Sequence, residues 1–186
     1  MPALSLDLAQ TKQFTSILKK QKGDLRLRAF YPSGHPFKSS DSGRKGQPSK
    51  ATVEEWQNEG RGVYAVINDG GDTDSEITAC RAVFCEWDDR PKEWQIDAWQ
   101  DLGLPEPTLQ VDTGGKSIHN YWVFAEPIPV DDWKSLQTRL LDHADADRSL
   151  KNPSRVMRLP GTFHIDADGQ PGGRTCIIHT SDTYYS

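Results

Sequence analysis

Two strand-forming runs, Thr108–Val111 and Ser117–Phe124, meet across the turn sequence Asp112-Thr-Gly-Gly115. This junction constrains the fold more than any other stretch. Runs so close in sequence can pair only by folding back antiparallel, because a parallel pair needs a crossover of roughly a dozen residues. The other strand patterns are short and separated by polar turns. Leu25–Phe30 alternates, with Leu25, Leu27 and Ala29 on one face and Arg26 and Arg28 on the other. Val63–Ile67 and Ile77–Asp88 flank a turn at Asn68–Ser75, and Arg155–Leu159 and Thr175–His179 are two further short strands. Helical spacing appears at Thr11–Lys20, with Phe14, Ile17 and Leu18 on one face, and at Pro91–Leu102, with proline in the first turn. The pattern Thr52-Val-Glu-Glu55 reads as a capping box opening a helix that ends near Gly60. A helix over Pro129–His143 would turn Trp133, Leu136, Leu140 and Leu141 to the core. Helices and strands interleave with hairpins and no regular βαβ period, which predicts an α+β fold with a largely antiparallel sheet.

Length suits one domain of 186 residues, with an N-terminal module at 1–60 and a sheet-bearing part at 61–180. Residues 31–51, rich in Ser, Gly, Pro and Lys, offer little to bury and read as a mobile basic loop. Six Trp, six Phe and five Tyr supply core bulk that the 35% hydrophobic content alone would not suggest. The N-terminus has no apolar signal core, and no apolar run approaches the roughly 20 residues of a membrane span, so a soluble, cytoplasmic protein is expected. Three cysteines without paired spacing fit a reducing compartment rather than a disulfide scaffold. The net charge of −5 is unevenly spread: residues 19–50 carry a local +7 and residues 51–147 a local −14. Such an asymmetry suits a protein that grips polyanions at one place and cations at another, and it equally suits a solvated charged surface.

Three tempting motifs fail on geometry. Gly114-Gly115-Lys116-Ser117 lacks the glycine that a phosphate-wrapping loop needs at position 110, which is Gln110, and a strand rather than a helix follows. Cys80 and Cys85 lie five apart on one strand and point to opposite faces, and Cys176 and His179 are also of opposite parity, so a structural zinc cage is not supported. The five histidines are isolated in sequence, unlike the paired histidines of a single-strand nickase.

Three other segments carry chemistry. The apolar run Val83-Phe84-Cys85 leads into Glu86-Trp87-Asp88, whose two carboxylates share a face about 7 Å apart along an extended chain. They repel unless a cation such as Mg²⁺ or Mn²⁺ sits between them, or they form a solvated acidic turn with Asp89. Ser117 and His119 share a face after Lys116 and can donate to phosphate oxygens, or they are a turn serine and a satisfied sheet histidine. Asp145 and Asp147 then precede Arg155-Val-Met-Arg158-Leu-Pro-Gly161. Brought together, three carboxylates with Lys116, His119 and Arg158 around a triphosphate would suit nucleotidyl transfer.

The order acid-x-acid after an apolar run, then Ser-x-His, then an isolated acid ahead of Arg-Val-Met-Arg-Leu-Pro-Gly-Thr resembles the archaeo-eukaryotic primase superfamily. It is most similar to the primase-polymerase domains of plasmids, prophages, and CRISPR-associated and cyanobacterial proteins, over Gly62 to His179. The resemblance implies a distorted RRM-like sheet with the N-terminal αβ module packed against it. It implies catalytic, metal-binding roles for Glu86, Asp88 and Asp147, with Asp145 as the substitute third ligand and Mg²⁺ or Mn²⁺ as cofactor. Asp147 is preferred because its interval to Arg155 better matches the family's. Glu86 departs from the more usual Asp by one methylene. Lys116, Ser117, His119 and Arg158 would bind the nucleotide, and Arg26, Arg28, Lys38, Arg44, Lys45 and Lys50 are candidates for nucleic-acid contacts. The expected partners are a single-stranded DNA template and primer with NTPs or dNTPs, and no membrane. A monomeric core from a longer replication or CRISPR-associated protein is expected, because the helical domain that often follows such cores is missing. The competing readings are a non-catalytic RRM-like module for single-stranded nucleic acid and a metal-dependent nuclease.

Overall fold

The computed structural model describes residues 3–21 and 23–186 and bears out the α+β expectation, with its sheets antiparallel. The first sheet has the order β2 (Arg44–Gly46), β1 (Leu27–Phe30), β3 (Gly62–Val66), β7 (Val156–Arg158). Residues 1–60 therefore do not make this sheet alone, since β3 and β7 complete it. The second sheet has the order β10 (Cys176–Thr180), β5 (Leu109–Asp112), β6 (Ile118–Ile128), β4 (Cys80–Cys85). The β5–β6 pairing is the hairpin expected from Asp112-Thr-Gly-Gly115, with Asp112 opposite Ile118. A hairpin of β8 (Phe163–Ile165) and β9 (Pro171–Arg174) stands apart. Its Pro-Gly-Gly-Arg strand contains no strand-favouring side chain, which is why composition conceals it.

The helices are α1 (Leu8–Ile17), α2 (Lys50–Asn58), α3 (Lys92–Asp101) and α4 (Val130–His143). Asp7 caps α1 by accepting from the Ala9 and Gln10 amides. The capping box assigned to Thr52 is corrected: α2 begins at Lys50, so Thr52 lies inside its first turn. That chemistry occurs instead at Thr73 and Glu76, around a short 3₁₀ turn. On α4, Leu136 is exposed and Gln137 takes the core position. Its amide accepts from the Phe84 N–H at 3.1 Å and donates to the Phe84 and Leu150 carbonyls at 2.7 and 2.9 Å, pinning α4 to β4. A buried polar side chain bonded three times fits where a leucine could not satisfy β4's edge.

The core joins both sheets. Tyr121 lies fully buried between Phe14 of α1 and Phe84 of β4, with ring centroids 5.9 and 6.0 Å away, and Phe84 continues to Trp133 of α4. The segment 31–51, which its composition reads as a mobile loop, contains regular elements. It carries a 3₁₀ turn at Lys38–Ser40 and the edge strand β2, and Tyr31 stacks on His35 at 4.4 Å. Arg61 clamps it by donating to both carboxylate oxygens of Asp41, at 2.6 and 3.0 Å, while its guanidinium lies over the Tyr31 ring. Among the described residues no helix is long and apolar enough to cross a membrane.

Candidate active site

Between the outer face of β3–β7 and the adjoining ends of β4 and β6 lies a polar cleft of about 370 Å³. Glu86 and Asp88 lie just beyond the end of β4, which stops at Cys85. The antiparallel register of β4 on β6 sets Cys85 opposite Asn120 and Phe84 opposite Tyr121. Continued past the strand end, it sets Glu86 against His119 and Asp88 against Ser117. The contacts agree: Glu86 Oε2 lies 3.0 Å from His119 Nε2, and the Ser117 hydroxyl donates to Asp88 Oδ1 at 3.0 Å. The two acids thus do not simply face each other bare, because each meets its own cross-strand donor.

Burial in the cleft pushes the Glu86 carboxyl up, but His119, the Ser117 hydroxyl and the Arg155 charge outweigh it and hold the group below the usual carboxylate range. Asp88 is the more exposed partner, with Lys116 Nζ 3.8 Å away. Behind the imidazole, the Tyr121 hydroxyl stands 3.5 Å from His119 Nδ1, an arrangement suited to the tautomer that donates from Nε2. Trp87, between the acids, is buried and donates from its indole to the Ala144 carbonyl at the end of α4.

The third acid is placed differently. The Asp147 amide donates to the Glu86 carbonyl at 3.0 Å, so its backbone lies beside the site, but its carboxylate accepts from the amide and hydroxyl of Ser149. Arg155 of the cleft in turn donates to that hydroxyl at 2.9 Å. Asp145, in a left-handed conformation with φ 46°, is paired with Arg148 on the surface. Among the described residues, no three acidic, His or Cys side chains gather closely enough to hold an ion. The structure brings together Glu86, Asp88, Lys116, Ser117, His119 and Arg158, and leaves the carboxylates of Asp145 and Asp147 outside the lining.

Sequence reasoning missed His164 and Tyr64, both of which line the cleft. His164 arrives on β8, its ring lying against Gly115 and Gly172, and its Nδ1 is buried without a partner. Burial and the neighbouring Arg158 charge lower its pKa. The space for this ring depends on Gly115, where an added Cβ would lie 2.8 Å from the ring, and the two loops meet at Gly114, where φ is +77° and an added Cβ would run into the Gly173 carbonyl. The pairs Gly114-Gly115 and Gly172-Gly173 were the available signal.

The basic candidates sort unequally. Arg26 is bidentate to Asp72, Lys45 lies 3.7 Å from the same carboxylate, Arg44 pairs with Glu59, and Lys50 with Glu54. Arg28 and Lys38 make no ion pair among the described residues. A larger cavity of about 580 Å³, between α4 and the Trp122 side of β6, is mainly apolar and holds no comparable arrangement of acids and donors.

No family model and no curated protein matches the chain. Solved structures do. The AEP domain of the primase-polymerase of cyanophage S-2L shares 39% identity, with a TM-score of 0.89, over 97% of this chain and 94% of its own. Primase RepB′ matches with a TM-score of 0.67 and 14% identity, over 96% of this chain and 58% of its own. The catalytic domain of primase RepB′ in complex with initiator DNA matches at 0.60 and 16%, over 95% and 88%. At those identities the two RepB′ structures share the fold alone.

Proposed function

The chain belongs to the archaeo-eukaryotic primases, as a primase-polymerase domain and so a nucleotidyltransferase, and from that premise we propose that it adds NTPs or dNTPs to a primer or initiating nucleotide on a single-stranded DNA template, at the Glu86–Asp88 cleft. The observation that carries this reading is the cross-strand ladder of two acids against two donors in one polar cleft. Carboxylate oxygens on one cleft wall suit Mg²⁺ or Mn²⁺, and Glu86 and Asp88 would hold the metal. Asp147 is the further candidate, once its carboxylate leaves Ser149. When bound, the metal supplies charge neutralisation at the transferred phosphate.

The chain's own residues do the rest. With a cation held by Glu86 and Asp88, the hydrogen bonds that Ser117 and His119 now give these carboxylates would no longer be needed, and the hydroxyl and the imidazole N–H would be free to donate to phosphate oxygens. Lys116 and Arg158 bring positive charge from the turn and from β7. Fixed donors of this kind stabilise charge that develops on the phosphate without reorganising.

The test is a labelled primer-template incubated with dNTPs or NTPs and Mn²⁺, resolved by length. Lengthening that is lost in the Glu86→Ala, Asp88→Ala double variant supports the reading. Shortening of the primer would make the site a nuclease, and shifted DNA with unchanged length a binding module.

A further inference from the structure

We infer that the outer face of the first sheet is a docking strip for single-stranded nucleic acid, built from Arg28, Phe30, Lys38, Tyr64 and Arg158. This rests on the nucleotidyl-transfer reading for the direction of the strand, which would run off the strip into the cleft.

Register supplies the first argument. Arg28 of β1 lies opposite Lys45 of β2 and Tyr64 of β3, and Tyr64 lies opposite Arg158 of β7. The four side chains form one row across four strands, on the face away from the buried Leu27, Ala29, Val63 and Ala65. Phe30 stands two residues further along β1 on the same face, opposite Gly62, whose missing side chain leaves the Arg158 guanidinium and the Tyr64 hydroxyl room.

Cations and rings then alternate. Arg28 and Lys38 lie over Phe30 at 4.9 and 5.1 Å, Arg158 over Tyr64 at 5.0 Å, and the Phe30 and Tyr64 centroids are 6.0 Å apart. Rings offer stacking surfaces to bases and the cations meet phosphates, the combination used by sequence-tolerant single-strand binders.

Unmet hydrogen bonding supplies the second argument. Three buried side-chain atoms among the described residues lack a partner: Arg28 Nε, Arg158 Nη1 and His164 Nδ1. Two belong to the strip, and an orphaned guanidinium N–H is costly unless something accepts it. Meanwhile Arg26, Arg44, Lys45 and Lys50 already have carboxylate partners. Tyr64 and Arg158 also line the cleft, so strip and cleft are continuous.

The test is fluorescence anisotropy of a labelled oligothymidylate of about 12 nucleotides, without nucleotide or metal, a length that spans one such module. Arg28→Ala and Phe30→Ala should each weaken binding at least about fivefold, and Arg44→Ala and Lys50→Ala less than about twofold. Phe30→Leu keeps the bulk and guards against a folding defect; it should weaken binding while its melting temperature stays near wild type. Arg28→Ala should also flatten the salt dependence by about 0.7 in log–log slope, and Phe30→Leu should leave it unchanged. Equal or larger losses in Arg44→Ala and Lys50→Ala, or wild-type binding by Arg28→Ala and Phe30→Leu, overturn the strip. Because this reads binding alone, a strip that fails while wild-type protein still extends primers leaves the proposed function standing. A strip that holds in a protein that extends nothing overturns the function instead.

Discussion

His119 shows how much one side chain here depends on its opposite number. Its Nε2 faces Glu86 and its Nδ1 faces Tyr121, so the ring is oriented from both ends before any phosphate arrives. His119→Ala is expected to raise the nucleotide KM and lower kcat, because a donor whose contact strengthens as charge develops affects both, while primer-template affinity stays near wild type. Loss of DNA affinity with an unchanged KM would move His119 to the template side. Asp147 and Asp145 separate in the same way. Asp147→Asn should raise the Mn²⁺ needed for half-maximal extension by about tenfold, equivalent to roughly 1.4 kcal/mol, and Asp145→Asn should change it little because that carboxylate serves Arg148. The opposite ranking would show that the third ligand is the outer acid. The parity of Glu86 with Asp88 and of Ser117 with His119 was legible in the sequence, since a period of two needs no tertiary knowledge. The pairing of one set against the other was not, because it follows from the register of β4 on β6. His164 was out of reach for a further reason: its position depends on a hairpin packing against a turn some 50 residues earlier in the chain.

At the scale of elements, the informative case is the segment from Tyr31 to Asp41. Its composition says loop, and its order comes from contacts that composition does not encode: a stacked Tyr31–His35 pair and the clamp of Asp41 by Arg61 across 20 residues. The guanidinium is almost fully buried, at 3% side-chain exposure, so removing Asp41 leaves two of its nitrogens without an acceptor where water cannot reach, and Glu59, 2.8 Å from Nε, as the remaining carboxylate partner. The clamp holds the Asp41 carboxyl below the usual carboxylate range, mainly through the hydrogen bonds from Arg61. A group depressed in the folded state contributes its stability above its unfolded pKa of about 3.9 and loses it as pH falls through the folded value. Asp41→Asn should therefore lower Tm at pH 7, by roughly 4 °C for a loss of about 1–2 kcal/mol, and the difference from wild type should shrink as the pH is taken below about 3. Thermal melts at the two pH values decide it; a difference that grows in acid would show that the clamp is not the stabilising contact.

Across the whole molecule, the uneven charge resolves into something quieter than a basic arm beside an acidic body. Arg26 and Lys45 meet Asp72, Arg44 meets Glu59, and Lys50 meets Glu54, so much of the positive segment is neutralised by acids from the negative one. The three strip cations predict a log–log salt slope for single-stranded DNA of about −2, where the full basic segment would give about −5. A slope near the larger value would mean that DNA displaces the internal pairs. The opposed glycines of the β5–β6 turn and of β9 have a consequence of another kind. Since the backbone at Gly114 packs against the backbone at Gly173, a side chain at either position leaves no room unless the other loop shifts, so the two positions are not free to vary separately. In a collection of related sequences they should keep or lose glycine together, and a library randomised at both should return far fewer folded members than the two single-site libraries would suggest.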